Sequence, residues 1–211
     1  MKISRPQFPA PVLCIDDFLS EEQAQAILQE CLDLQKIYLP ARVFDGPHTT
    51  KWDPAYRSND AVSLGKVFRN YPERSDVLRI MKEKIWTPEC RALWHEGYHV
   101  FDIINYSTWQ EAVISRYGDG GFYKKHQDTR FDHITYRLVT IVYYVSKADV
   151  PCDGGALLLW QGDESLRVEP KRNSAVVFPS FMTHEVESVS VSNEDWEDGR
   201  FSINYWVGFR G

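Results

Sequence analysis

His126-Gln127-Asp128, His184 and Arg200-Phe201-Ser202 are the side chains of this chain best suited to chemistry. His126 and Asp128 are two apart, and on an extended segment such residues project from the same side. Both can then reach one ion. His184 is placed to supply a third ligand, because it follows the apolar run Ser174-Ala175-Val176-Val177-Phe178 and opens the next strand, Glu185 to Val189. Two imidazoles and one carboxylate with open positions suit non-haem iron(II) oxygenases, and zinc also accepts the set. Arg200 favours the first option. A planar guanidinium at the start of a strand is made for bidentate contact with a carboxylate. Ser202 shares its face, and Tyr117 and Tyr144 can bring phenol donors from neighbouring strands. Together they describe a pocket for a dicarboxylate with one end at the metal.

The elements that must hold these groups fall into two parts. Val12 to Ile15 is a short apolar run that reads as a strand before a helix. Ser20 with Gln23 has the form of a capping box, and Ala24, Ile27, Leu28, Cys31 and Leu32 behind it follow helical spacing. Residues 38–66, rich in Pro, Gly, Asp, Asn and Thr, are expected to form one long irregular segment on the substrate side. A second helix begins near Ser75, with Val77, Leu78, Met81 and Ile85 on one side. Thr87-Pro88 is a cap and first-turn proline for a third helix through Leu93 and Trp94.

From about residue 99 the period changes to two. The expected strands are His99 to Ile104, Ala112 to Tyr117, Leu138 to Ser146, Ala156 to Trp160, Ser165 to Val168, Ala175 to Phe178, Val186 to Val191 and Phe201 to Phe209. Such a run of short strands after a helical part predicts an antiparallel barrel or jelly roll. In the last strand Phe201, Ile203, Tyr205 and Val207 alternate with Arg200, Ser202, Asn204 and Trp206. The first set is expected to pack under helices and the second to face a polar ligand inside the barrel.

These stretches resemble the Fe(II)/2-oxoglutarate-dependent dioxygenases, in their prolyl 4-hydroxylase-like branch. The resemblance is carried by Ser115-Arg116-Tyr117-Gly118-Asp119-Gly120-Gly121-Phe122-Tyr123 with His126-Gln127-Asp128, and by the strand Arg137 to Val145. It continues in the turn Cys152-Asp153-Gly154-Gly155, in Phe178-Pro179 through His184, and in Gly199 to Trp206, so that it spans about residues 98–209. It implies a double-stranded β-helix, mainly β with α, buttressed by N-terminal helices. The whole chain, 1–211, is then a single domain: residues 1–97 the helical buttress and substrate-side loop, 98–211 the core. It also implies Fe(II) on His126, Asp128 and His184, with 2-oxoglutarate and O2 as cosubstrates and ascorbate as reductant. Arg200 would pair with the distal carboxylate of 2-oxoglutarate, assisted by Tyr144 or Ser202 with Tyr117 nearby. Succinate and CO2 would leave as a C–H bond of an amino acid or peptidyl residue is hydroxylated, proline being the first candidate. A carboxylate at Asp128, where related halogenases carry a small residue, favours hydroxylation. The spacing of sixteen between His184 and Arg200 is longer than usual in the branch, and Ser192 to Asp198 reads as an inserted acidic loop.

A net charge of −6 with no basic stripe argues against nucleic acid as partner. No apolar stretch is long enough to span a bilayer, and the N-terminus lacks the apolar core of a signal peptide. A cytoplasmic protein with a small-molecule, peptide or protein substrate and no membrane partner is expected; the oligomeric state stays open. The widely spaced Cys14, Cys31, Cys90 and Cys152 are expected to be reduced and mostly buried. His48, His95, His99 and His133 are expected to serve on the surface or in structure. Arg57 and Trp52 border the substrate mouth or belong to a solvated loop, and Arg116, Lys124, Lys125 and Arg130 cluster around the metal strand, where they form a solvated face or attract an acidic substrate. The competing functions are the same chemistry on nucleic acid or a small natural product, a non-catalytic metal- or carboxylate-binding barrel, and a zinc hydrolase.

Overall fold

The structure is a computed structural model that describes residues 1–45, 49–129, 135–147, 152–191 and 195–210. Among the described residues four α-helices precede the longest strands. In α1 (Glu21–Asp33) the Ser20 side chain and the Gln23 side chain close the expected capping box. A one-turn helix, α2 (Leu64–Val67), is followed by α3 (Asp76–Ile85), capped by Ser75, and α4 (Pro88–Gly97), capped by Thr87 with Pro88 in its first turn. Glu30 ties α1 to α3: its carboxylate accepts from the Ser75 hydroxyl and the Val77 amide, each at 2.7 Å. An anion at the start of α3 also meets the positive end of that helix. No helix among the described residues is long and apolar enough to cross a membrane.

The strands form two principal antiparallel sheets. The larger runs in the order β1 (Lys2–Ser4), β2 (Leu13–Asp16), β14 (Ser174–Pro179), β10 (Thr135–Val145), β17 (Arg200–Arg210), β8 (Trp109–Tyr117), β7 (Asp60–Ser63) and β3 (Leu39–Pro40). The smaller runs β13 (Glu164–Val168), β12 (Leu157–Gln161), β15 (Thr183–Val186), β9 (Phe122–His126) and β6 (Arg57–Ser58). Two ribbons complete the set, β11 (Cys152–Gly154) with β16 (Val189–Val191), and β4 (Val43–Phe44) with β5 (Thr50–Lys51). The architecture is thus mainly β with helices.

Alternation along β17 sorts the molecule into two layers. Phe201, Ile203, Tyr205 and Val207 join Ile27 and Cys31 of α1, Ile80 and Met81 of α3, and Trp94 of α4 in one buried core. Burying each large side chain of this kind is worth roughly 1.5–3 kcal/mol, which pins the helices to the outer face of the larger sheet. A second cluster lies between the sheets, where Val142, Tyr144, Val176 and Phe178 of the larger meet Leu157 and Leu159 of the smaller.

Four sequence expectations need correction. His99 to Ile104 is no strand: His99–Tyr106 is a 3-10 helix. Its buried residues, Phe101 and Ile104, are three apart, while Val100 is exposed, so the apolar run has the 3-10 period. Residues 38–66 are no single irregular loop, because β3 and β7 extend the larger sheet and β6 the smaller. All three are short, and β3, which holds Pro40, and β6 lie at sheet edges, which carry little hydrophobic signal. The 1–97 portion is not only helix and loop, because β1 joins the larger sheet beside β2, the strand expected near Val12 to Ile15. The expected strand Val186 to Val191 is broken at Glu187-Ser188. There the Glu187 amide donates to Ala156 and Ser188 accepts from the Gly155 amide, each at 3.0 Å, so that β15 pairs with β12 and β16 with β11.

Candidate metal and cosubstrate site

β9 and β15 lie side by side with His126 and His184 as register partners. The pairing fixes two imidazoles from residues 58 apart in sequence. Each ring is turned by its own backbone: the His126 Nδ1 lies 2.8 Å from the Lys124 carbonyl, and the His184 Nδ1 lies 2.9 Å from the Met182 carbonyl. Holding the Nδ1 hydrogen on a carbonyl leaves Nε2 with its lone pair free. Asp128 sits just past the end of β9, held by its amide donating to the Ser180 carbonyl at 3.0 Å. Its Oδ1 lies 3.8 Å from His126 Nε2 and its Oδ2 lies 3.5 Å from His184 Nε2. One ligand atom from each of the three residues falls within 4.8 Å of the others.

The neighbours prepare these groups. Thr140 Oγ1 and Trp206 Nε1 both donate to Asp128 Oδ2 at 2.9 Å, which leaves Oδ1 as the oxygen without a protein donor among the described residues. Tyr123 stacks on the His126 ring at 3.5 Å between centroids, and Phe178 packs edge-on to His184 at 4.9 Å. Burial, with the His184 ring beside it, holds His126 well below its ordinary pKa, so that it is neutral near pH 7. Burial alone would raise the Asp128 carboxyl, but His184, His126 and Arg137 together pull it down to about 2. Neutral imidazoles and an ionised carboxylate are the protonation states that a divalent cation needs.

Arg200 lies deeper in the same cavity, 4% exposed. Its guanidinium stands over the rings of Tyr117 and Tyr144, at 4.8 and 5.0 Å. Register explains the grouping, since Arg200 pairs with Tyr117 on β8 and Ser202 pairs with Tyr144 on β10. Arg200 Nε and Nη1 and the Tyr144 hydroxyl are buried without a hydrogen-bond partner. Burial pushes the Tyr144 phenol up to about 12 despite the opposing charge of Arg200, so it stays a proton donor. Orphaned buried donors are costly, on the order of 1–3 kcal/mol each. Three of them aimed into one cavity mark the seat of an anionic oxygen group. The Gly154-Gly155 turn closes on this point with φ near +70° and +65°. A Cβ on Gly155 would lie 3.0 Å from Arg200 Cδ and 2.6 Å from Val189, so a side chain there would displace the guanidinium.

The residues present therefore fit an iron(II) ion with a 2-oxo dicarboxylate: two imidazole nitrogens and one carboxylate oxygen converge, and a buried cation waits beside them. They line one cavity of about 410 Å³ that also holds Arg57, Arg137, Asn204 and Trp206. His126, Asp128, His184, Arg200, Tyr117, Tyr144 and Ser202 all line this cavity.

Sequence reasoning passed over Thr140, Ser180, Arg137 and Glu111. Ser180 shares a 2.9 Å hydrogen bond with Thr140, and Arg137 forms a salt bridge with Glu111 at 2.6 Å and stacks on Trp206 at 3.8 Å. The only hint was the place of Glu111 on β8 and of Arg137 and Thr140 on β10; Ser180 follows the end of β14. Of the residues left between two roles, Arg57 lines the cavity, while Trp52 is 60% exposed and lines a separate cleft. Arg116 is no member of a solvated face, because it packs over Trp196 at 4.8 Å and donates to the Trp196 carbonyl at 2.7 Å. Lys124 and Lys125 are exposed as expected. His95 is exposed beside Asp102 at 3.5 Å, and His99 is exposed. His48, His133, Arg130 and the first part of the acidic loop lie outside the described residues. Cys14, Cys31 and Cys90 are free thiols.

Residues 112–208 match the model of the 2OG-Fe(II) oxygenase superfamily. The structure is similar to that of a Pseudomonas putida prolyl-4-hydroxylase, with a TM-score of 0.68 and 20% identity over 95% of this chain and 94% of that one. It is equally similar, at 0.68 and 16% identity, to a prolyl hydroxylase of Trichoplax adhaerens in complex with a peptide of hypoxia inducible factor, covering 95% of this chain and 84% of that one. In sequence it is 26% identical over 204 residues to an uncharacterized PKHD-type hydroxylase of Synechocystis. That match takes in 92% of this chain and 61% of the relative, so the chain spans about three-fifths of that protein's length. Residues 112–208 thus resemble the 2OG-Fe(II) oxygenase superfamily, and the chain shares its fold with prolyl hydroxylases of known structure.

Proposed function

We propose that the protein is a 2-oxoglutarate-dependent hydroxylase acting on a C–H bond of an amino-acid residue, with a prolyl residue of a peptide or protein as the first candidate. The observation that carries this reading is the placement of the orphaned Arg200 guanidinium in the same cavity as the converging His126, Asp128 and His184. His126, Asp128 and His184 would hold Fe(II), and Arg200 with Tyr144, Ser202 and Tyr117 would hold the distal carboxylate of 2-oxoglutarate. The iron, 2-oxoglutarate and O2, with ascorbate keeping the metal reduced, supply the oxidation that inserts oxygen into the substrate and releases succinate and CO2.

The side chains of this chain do the rest. The backbone carbonyls of Lys124 and Met182 fix the proton on Nδ1 of each ligand imidazole and aim Nε2 at the metal position. Thr140 and Trp206 hold Asp128 so that Oδ1 faces it. Tyr144 donates its phenolic proton toward the cosubstrate carboxylate, and the Arg200 charge pairs with it. The Phe178, Leu157 and Val186 side chains beside the metal set keep bulk water from that part of the cavity.

Release of succinate coupled to O2 uptake, screened over proline-containing peptides and free amino acids, tests the proposal. Product 16 mass units heavier from at least one of them is expected. Turnover that survives without O2 or without 2-oxoglutarate would instead mark a hydrolase.

A further inference from the structure

The chain is acidic overall, at −6, yet the mouth of its catalytic cavity is not. Five cationic side chains line that cavity: Arg42, Arg57, Lys66, Arg137 and Arg200. Arg137 is neutralised by Glu111 at 2.6 Å, and Arg200 lies deep against Tyr117 and Tyr144. Among the described residues the only other acid in the lining is Asp128, held in the metal set. Arg42, Arg57 and Lys66 have no carboxylate partner among the described residues. Arg42 donates to the hydroxyl and carbonyl of Thr50 at 3.1 and 2.7 Å, and Arg57 donates to Asn59 at 2.6 Å. These neutral acceptors aim the two guanidinium groups without cancelling their charge. Aliphatic side chains stand among them: Ile37, Leu39 and Val67 line the same cavity and are 42%, 69% and 46% exposed. Exposed apolar surface rimmed by charge marks a binding face.

We propose that this mouth docks an acidic peptide segment. The substrate would carry Asp or Glu beside the hydroxylated residue, its carboxylates meeting Arg57, Arg42 and Lys66 and its apolar side chains lying on Ile37, Leu39 and Val67. The inference rests on the hydroxylase reading above and names the class of substrate. Geometry sets the register. The Arg57 guanidinium lies 4.3 Å over the Tyr123 ring, and that ring stacks 3.5 Å from the His126 ring. A carboxylate on Arg57 is therefore one aromatic layer from the metal ligand. At roughly 3.3 Å per residue of extended chain, it belongs to a residue about two or three positions from the reacting carbon. A nucleic acid fits the same surface less well. Single strands bind through stacked aromatic side chains, and the rim offers mainly aliphatic ones.

The test uses the full chain loaded with Mn(II) and 2-oxoglutarate. Three fluorescent proline-containing peptides differ only in flanking Asp, Asn or Lys residues, and binding is read by anisotropy. The Asp peptide is expected to bind about tenfold tighter than the Lys peptide, with the difference shrinking as salt is added. Lys66→Glu should narrow that gap, and Arg42→Glu with Lys66→Glu should reverse the order; both residues are exposed, so the fold tolerates the change. Equal binding of the three peptides, an unchanged order in the double variant, tighter binding of an oligothymidylate of matched length, or no peptide binding at all would each overturn the proposal. The hydroxylase reading fails separately. If the Asp peptide binds and the Fe(II) enzyme with O2 releases succinate from no peptide, the docking face stands and the reaction does not. If Asp and Lys peptides are hydroxylated with equal kcat/KM, the reaction stands and the docking face does not.

Discussion

The two faces of β17 are built from one strand and obey opposite rules. On the outer face Phe201, Ile203, Tyr205 and Val207 are each no more than 1% exposed, and they pack under α1, α3 and α4. The polar atoms there are matched: the Tyr205 hydroxyl donates to Gln110, and nearby Trp94 donates to the Ile85 carbonyl. On the inner face Arg200, Ser202 and Trp206 are buried nearly as well, but Arg200 keeps two hydrogen-bond donors unused and faces an equally unmatched Tyr144 hydroxyl. Hydrophobic area on one side stabilises the strand strongly enough to hold unsatisfied polar groups on the other. The outer face makes the fold and the inner face waits for a ligand.

The sharpest way to break this contrast is to remove a metal ligand. Asp128→Ala or His184→Ala should abolish iron binding by titration calorimetry and drop succinate release below detection, while the far-UV circular dichroism spectrum stays unchanged. An active variant would separate the inner face from the chemistry. Next come matched substitutions on the two faces. Ile203→Ala should cost about 2–5 kcal/mol of folding stability and leave the KM for 2-oxoglutarate alone. Arg200→Met should do the reverse: it removes an unpartnered buried charge, so the metal-free protein should unfold at an equal or higher temperature. The same change should weaken 2-oxoglutarate binding by on the order of 2–5 kcal/mol. Thermal melts with and without 2-oxoglutarate report both quantities.

A smaller effect is expected from Trp206→Phe. It keeps an aromatic plate under Arg137 and deletes one of the two hydrogen bonds to Asp128 Oδ2. Loss of such an outer hydrogen bond weakens metal binding by about 10–100-fold, measurable with Mn(II) by electron paramagnetic resonance. If affinity is unchanged, Thr140 alone orients the carboxylate.

The smallest effect is on pH dependence. His126 is depressed in the folded protein by burial and by His184. The unfolded chain, near pKa 6.5, takes up that proton first as the pH falls. Stability from this group is therefore full above about pH 6.5 and is lost below it. Asp128, lowered to about 2 chiefly by His184 and His126 against the effect of burial, acts in the same direction between about pH 4 and 2. In urea melts of the metal-free protein at about pH 7.5 and 5.5, His126→Gln should flatten the loss seen in the wild type.

Much of this could be read before any coordinates. The caps at Ser20, Ser75 and Thr87, the apolar stripes of three helices and the alternation in β17 are local patterns whose period matches the element they form. The metal set was legible because His126 and Asp128 are close in sequence and because a histidine, a Gly-Gly turn and an arginine follow in order. What escaped notice was set by partners distant in the chain. β3, β6 and β7 look like loop, since only pairing makes them strands: β7 with β8, β3 with β7 and β6 with β9. His99–Tyr106 imitates a strand until the burial of Phe101 and Ile104 shows a period of three.

Sequence alone determined which side chains could bind a cation and an anion, and on which face of which strand each would stand, because side-chain direction follows directly from backbone period. Tertiary structure decided that His126 and His184 meet as register partners, that Thr140 and Trp206 share one oxygen of Asp128, and that three cations without a carboxylate partner among the described residues gather at one mouth of an acidic protein. Those facts depend on strand pairing between residues far apart in the chain, and no local pattern encodes the register of a distant partner.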